Sequence, residues 1–259
     1  HDGNIRFGLG AVKGVGEAAV QSIMEERKKN GPFLGIFDFV QRVNLNACNK
    51  KNMECLALAG GFDSFPELKR EQYFAANSKG ELFLETLMRY GNRYQADKAA
   101  AVNSLFGGEN VIDVATPEIP QGVERWSDLD RLNRERDLVG IYLSAHPLDE
   151  FSIVLEHVCN TRMSELEDKA ALAGREITMG GIVTSVRRGV SKNGNPYGIA
   201  KIEDYSGSTE IPFWGNDWVT YQGYLNEGTF LYIKARCQAK QWRQDELEIK
   251  ITSMELLPD

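Results

Sequence analysis

A chain of 259 residues, 42% of them hydrophobic, is long enough for two cored domains, or for one domain with a smaller module. Its formal charge of −7 excludes a uniformly basic polyanion-coating protein, and no apolar run approaches the ~20 residues of a membrane span or the pattern of a signal peptide. Four cysteines (Cys48, Cys55, Cys159, Cys237) show no CxxC or zinc-ligand spacing, so reduced thiols in a cytoplasmic protein are expected, with no metal, cofactor or disulfide framework.

The first residue is His1 rather than Met, so the chain is expected to be a piece of something longer. Its acid excess sits in residues 66–174, where 19 carboxylates face 12 basic side chains. Residues 1–65, with 8 basic and 7 acidic side chains, and 175–259, with 10 and 11, are near neutral. A local basic face on either end is therefore compatible with modest bulk affinity for nucleic acid.

In chain order, an apolar approach from Leu9 runs into Lys13-Gly14-Val15-Gly16, and a helix is predicted to start at Glu17. Two glycines around one small residue allow a tight hairpin, and the first turn of the next helix offers unpaired N–H groups to a phosphate. This is the physics of a helix-hairpin-helix clamp on a DNA backbone, although Glu17 in that first turn repels a phosphate. Two other readings stay open here: a plain structural turn, and a dinucleotide fingerprint, because Gly14 to Ala19 also fits GxGxxA. The fingerprint needs a preceding strand and an acidic strand end about 20 residues later. Ile5-Arg6-Phe7 is short for the first, and Asp38 lies in a helical aromatic run.

The Glu17 helix is predicted to stop at Asn30-Gly31-Pro32. A second, looser helix-turn-helix follows: Phe37 to Val43, then a helix opening at Asn49-Lys50-Lys51 and capped by Gly60-Gly61. Lys50 and Lys51 are candidates for a second phosphate contact. Residues 66–101 read as helical, with Tyr73, Phe74, Leu82, Phe83, Leu87 and Met88 as a core stripe. From about Gln95 to Pro120 the pattern reads as an exposed linker, in which Leu105-Phe106 is one apolar pair suited to a partner's pocket or to folding back. Ser127 is a candidate N-cap for a further helix, and Pro147 the first position of another through Val158; His146 between them reads as structural.

From Glu176 the period changes to alternation. Strands are predicted over 177–186, 197–202, 209–213, 230–239 and 247–256, with a helix over 214–225 between the third and fourth. That is the order of a five-stranded OB-fold barrel. Such barrels hold single strands with aromatic platforms and a basic groove; the candidates are Arg187, Arg188, Lys192, Tyr197, Lys201, Lys240, Trp242 and Arg243, with Asp204, Glu210, Asp245 and Glu246 nearby.

Four blocks, FGLGAVKGVGEAAVQSI, FDFVQRVNLNACNKKNMECLALAGGFDSF, RERDLVGIYLSAHPLDEF and GGIVTSVRRGVSKNGNPYGIAKIEDYSG, resemble the alpha subunits of bacterial DNA polymerase III, in the same order. Even GVGE, with its awkward Glu17, looks like that family. The resemblance implies a tandem helix-hairpin-helix region gripping duplex through Lys13, Gly14, Val15, Gly16, Lys50 and Lys51, followed by an OB-fold. It also implies that Val102-Asn103-Ser104-Leu105-Phe106 is an internal sliding-clamp motif of the Gln-x-x-Leu-Phe type, with Val102 in place of glutamine. The acidic metal-binding residues of the polymerase lie outside these blocks.

The expected fold is thus α+β and multidomain: an all-α helix-hairpin-helix domain (1–94), an exposed linker with a clamp-docking peptide (95–125), a helical connector (126–174) and an OB-fold β-barrel (175–259). The expected role is non-catalytic, within a parent DNA-directed DNA polymerase. It consists of binding duplex DNA, single-stranded template and the sliding clamp beside the rest of the polymerase chain, in the bacterial cytoplasm at the nucleoid and without a membrane. The alternatives are an architectural piece with little intrinsic DNA binding, and the GxGxxA enzyme.

Overall fold

The computed structural model describes residues 7–103, 114–240 and 243–257, with the side chains of Val102, Asn103 and residues 243–245 excepted. The chain divides into two compact units, His1–Ala145 and His146–Asp259.

In the first unit a short 3-10 turn, Leu9–Ala11, precedes α1 (Glu17–Asn30), α2 (Ile36–Arg42), α3 (Lys50–Leu58), α4 (Arg70–Tyr73), α5 (Phe83–Asn103) and α6 (Asp128–Val139). Local chemistry sets the ends. α1 stops at Gly31, whose φ of 81° suits glycine, with Pro32 behind it. The Asn49 side chain caps α3 by accepting the Asn52 N–H at 3.2 Å, and Ser127 caps α6 by accepting the Asp130 N–H at 3.1 Å. Ile36, Phe39, Val40, Met53, Leu56, Tyr73, Leu84 and Leu87 fill the core. Phe39 meets Phe33 at 4.8 Å and Phe62 at 5.2 Å between ring centroids, pairs that contribute ~0.5–1.5 kcal/mol each beyond their buried area.

A buried ion pair ties α6 into this unit. Arg70 and Glu135, with side chains 6% and 1% exposed, meet at 3.0 Å. Arg70 also grips Asp63 at 2.6 Å, while Glu135 accepts the Leu143 N–H at 2.7 Å and the Ser144 N–H and hydroxyl at 2.6 Å each. Burial pushes the Glu135 carboxyl up, but Ser144, Leu143 and Arg70 outweigh it and hold the group below the ordinary glutamate value.

Two sequence-based expectations change here. The helix read through 66–101 is broken. α4 is a single turn, an isolated bridge joins Ala76 to Leu82, and the intervening turn passes through Gly80 at φ 78°. Asn77 drives the break, because its side chain accepts the Lys79 and Glu81 N–H groups and competes with helical bonding. Conversely, α5 continues to Asn103, so residues 95–103 are helical rather than linker. The good helix formers Ala99, Ala100 and Ala101 carry it on, and Gln95 anchors it by donating to the Val40 and Val43 carbonyls at 2.9 and 2.8 Å.

In the second unit a 3-10 turn, Asp149–Phe151, leads into α7 (Ser152–His157). His146 is built into this entry: Nδ1 accepts the Leu148 N–H at 3.2 Å, its ring lies 4.6 Å from that of Tyr205, and burial lowers its pKa. Five strands follow: β1 (Glu176–Val190), β2 (Pro196–Asp204), β3 (Gly207–Trp214), β4 (Phe230–Lys240) and β5 (Arg243–Leu256), with α8 (Asn216–Tyr221) between the third and fourth. All pairings are antiparallel, in the order β3-β2-β1-β4-β5. The five strands and the intervening helix are those expected of an OB-fold, and among the described residues no ladder joins β3 to β5, so the sheet is not closed there. The inner face buries Ile177, Met179, Ala200, Ile202, Phe213, Leu231 and Ile233, and α8 adds Trp218 beneath it. Gly198 makes this possible, since a Cβ there would lie 2.1 Å from the Trp218 ring.

Candidate nucleic-acid interface

The hairpin at Lys13–Gly16 is shaped from below. Gly14 adopts φ 87°, a left-handed conformation that favours glycine, and a Cβ there would sit 2.6 Å from Cys55 Sγ in α3. The Val15 N–H closes the turn on the Val12 carbonyl at 3.1 Å, and the Lys13 N–H donates to the Leu138 carbonyl at 2.8 Å. Gly16 N–H donates to Asn52 Oδ1 at 2.9 Å, and Asn52, itself buried, donates to the Ala47 carbonyl at 3.1 Å.

This revises which groups can meet a phosphate. The Gly16 N–H is committed to Asn52, and the Val15 side chain is buried. The N–H groups of Gly14, Glu17 and Ala18, all exposed residues, have no acceptor among the described residues. Two cations flank them. Lys13 is exposed on the turn, and Lys51 Cε lies 3.9 Å from the position a Cβ on Gly14 would take. Lys50 points elsewhere, to Glu85 at 2.6 Å and Glu54 at 3.7 Å. The two lysines read together in sequence are thus separated by the helix into one beside the hairpin and one already paired. The GxGxxA geometry is absent from this stretch: a 3-10 turn precedes Gly14 where a strand is needed, and Asp38 lies in α2.

On the second unit, strand alternation sorts the remaining candidates. Gly189, Tyr197 and Trp214 share one cross-strand row, Arg187, Ile199 and Pro212 the next, and Ser185, Lys201 and Glu210 a third. These rows make the outer face of β1-β2-β3. Tyr197 and Trp214 are 4.6 Å apart at 30° between planes, and Trp214 is 53% exposed. The Tyr197 ring leans over Gly189, where a Cβ would come within 2.7 Å of it. Arg187 pairs with Glu210 at 2.6 Å, while Lys192 is exposed in the β1–β2 turn.

Arg188 does not act with Arg187. Consecutive strand residues face opposite ways, and Arg188 donates to the Leu225 carbonyl at 3.2 Å and Asn226 Oδ1 at 3.1 Å, with its guanidinium 6.0 Å from the Trp218 ring centroid. Lys240 pairs with Glu246 at 2.5 Å across the β4–β5 hairpin. Trp242 lies outside the described residues, and Arg243 begins β5. Of the docking peptide, Val102 and Asn103 end α5, and Ser104, Leu105 and Phe106 lie outside the described residues.

Trp214 and Asn52 were missed in the sequence, whereas the first-turn N–H groups, now Glu17 and Ala18, were read from it. Trp214 was assigned to the following helix, although the in-out alternation of Ile211, Pro212 and Phe213 already places it outward on a strand. Nothing local signals Asn52, whose bond to Gly16 spans 36 residues.

Comparison with known proteins agrees with both units. A family model described as a helix-hairpin-helix motif matches residues 1–73, and one described as an OB-fold nucleic acid binding domain matches residues 177–257. DNA polymerase III subunit alpha of Pasteurella multocida (strain Pm70) is 31% identical over 234 residues, covering 90% of this chain and 19% of that protein. The Mycobacterium tuberculosis (strain ATCC 25618 / H37Rv) subunit is 30% identical over 247 residues, 93% of this chain and 20% of its own. That of Chlamydia muridarum (strain MoPn / Nigg) is 31% identical over 231 residues, 88% and 18% respectively. The resemblance to these alpha subunits holds over about nine-tenths of the chain, and the chain spans about a fifth of the length of the curated relatives it matches.

Proposed function

We propose that this chain, homologous to the C-terminal region of DNA polymerase III alpha subunits, is the non-catalytic part of a replicative polymerase that keeps it on DNA. The hairpin grips duplex phosphates without reading sequence, the OB-fold outer face holds single-stranded template, and residues 102–106 dock to the sliding clamp. Processivity is the outcome, and the site of action is the bacterial cytoplasm at the nucleoid. The parent chain supplies the nucleotidyl transfer.

The single observation that carries the duplex reading is the hairpin rim. Three N–H groups without an acceptor among the described residues, at Gly14, Glu17 and Ala18, open the 14-residue α1 between Lys13 and Lys51. Orphan donors, the positive end of a helix dipole and two ammonium groups all favour an oxyanion. None of them distinguishes one base from another. Glu17 tempers the affinity, consistent with a contact that must slide.

Fluorescence anisotropy with a labelled blunt duplex tests this. Lys13→Ala with Lys51→Ala is expected to weaken binding at low salt at least tenfold while leaving the thermal unfolding of the chain unchanged. Equal binding by the double variant would overturn the assignment.

A further inference from the structure

The outer face of β1-β2-β3 holds a charge arrangement that its aromatic row does not explain. Glu210 sits directly across from Lys201 in the β2–β3 register and accepts from Arg187 Nη2 at 2.6 Å. The carboxylate is committed to Arg187, on a surface where Arg187 and Glu210 are 65% and 53% exposed. An exposed pair of this kind adds little to stability. Beside it, the exposed Trp214 ring pairs with the half-buried Tyr197 ring, which comes close over a bare Gly189. A tryptophan confined to a core would not be left at 53% exposure, as Trp214 is, in a sheet that buries Phe213 and Trp218 on its other face.

Resting on the reading of this face as a single-strand site, we propose that Trp214 and Tyr197 form the platform for one stacked base and that Glu210 is a built-in competitor, displaced from Arg187 by that nucleotide's phosphate. The geometry fits one nucleotide. The aromatic row and the Arg187 row lie two residues apart along the strands, about 6.6 Å, within the reach of a base and its own phosphate. The Glu210 carboxylate already occupies the Arg187 donor that a phosphate oxygen would use. Displacement exchanges one anion for another on the same guanidinium, so binding is weak and reversible by design of the site. Stacking, which every base can provide, supplies the part of the affinity that Glu210 does not cancel.

The test uses the whole chain and a fluorescein-labelled twelve-nucleotide oligothymidylate at low salt. Trp214→Ala is expected to weaken binding by about 5- to 150-fold, and Trp214→Phe, which keeps a π-face, by much less. Glu210→Gln is expected to tighten binding several-fold, with most of that gain lost in the Arg187→Ala background. An oligonucleotide made fully abasic should bind the unaltered chain and Trp214→Ala alike. If the unaltered chain does not bind, the single-strand reading falls and this proposal with it. If it binds and Trp214→Ala binds equally, the platform alone is overturned. If Glu210→Gln binds no tighter, the competitor alone is overturned. Far-UV circular dichroism of each variant, with Trp214→Phe as the conservative control, separates loss of contact from loss of fold.

Discussion

Replacing Gly14 by alanine puts two separate strains into one small site. The backbone there is left-handed, at φ 87°, which costs an L-residue ~1–2 kcal/mol. The new methyl would also sit 2.6 Å from Cys55 Sγ, 3.8 Å from Cys55 Cβ and 3.9 Å from Lys51 Cε. Cys55 is buried, so its sulfur cannot swing away freely, and overpacking of this kind costs ~1–3 kcal/mol. Together Gly14→Ala is expected to lose about 2–5 kcal/mol from the first unit. Removing the sulfur dissects the two. In a Cys55→Ala background only the backbone strain remains, so the cost of Gly14→Ala falls to about 1–2 kcal/mol, a coupling of about 1–3 kcal/mol. Equilibrium urea unfolding of the four proteins, fitted with separate transitions for the two units, reads both numbers. Gly14→Ala with an unchanged midpoint would refute the geometry, and a cost independent of Cys55 would refute the contact.

Other outcomes follow from the same structure. Glu135 has its carboxyl held below the ordinary glutamate value, so the unfolded state binds the extra proton; its stabilisation is complete above that ordinary value and disappears as pH falls through the lowered one. Acid titration of the first unit should show this loss, and Glu135→Gln should flatten it while costing about 3–5 kcal/mol at neutral pH; an unchanged acid profile contradicts the pair. Lys51→Ala should reduce the salt slope of duplex binding by about 0.9, whereas Lys50→Ala, tied to Glu85 and Glu54, should change it little; equal effects would contradict the separation of the two. Arg188→Ala should lower the denaturant midpoint of the second unit and leave the salt slope for single strands intact, with Arg187→Ala doing the reverse. Leu105→Ala with Phe106→Ala should abolish binding to the sliding clamp in surface plasmon resonance, and retained affinity would sink the docking peptide.

Much of the architecture was legible because its signals are local. The change of period at Glu176, the Asn49 and Ser127 caps and the Gly31-Pro32 stop are each written within a few residues. The hairpin was visible from Gly14 and Gly16 alone, but not which N–H groups remain available, since Asn52 reaches Gly16 from another helix. Misreadings came where side chains compete with the backbone or act at a distance. Asn77 broke a helix that apolar spacing alone carries through, and the Arg70–Glu135 pair joins residues 65 apart that no spacing rule connects. Arg187 and Arg188 were grouped by charge beyond a strand expected to end at Val186; β1 runs on to Val190, and its alternation sets them on opposite faces. Sheet closure is a long-range property of β3 and β5, and five correctly ordered strands do not decide it.

The central claim is that the hairpin binds duplex through phosphates alone. Titration of a labelled duplex with the unaltered chain across a salt series tests it most directly. Lys13 and Lys51 predict a linear fall of log K with log salt, slope about −1.8, the same for two unrelated duplex sequences. Absent binding at low salt, or an affinity that ignores salt, would contradict it.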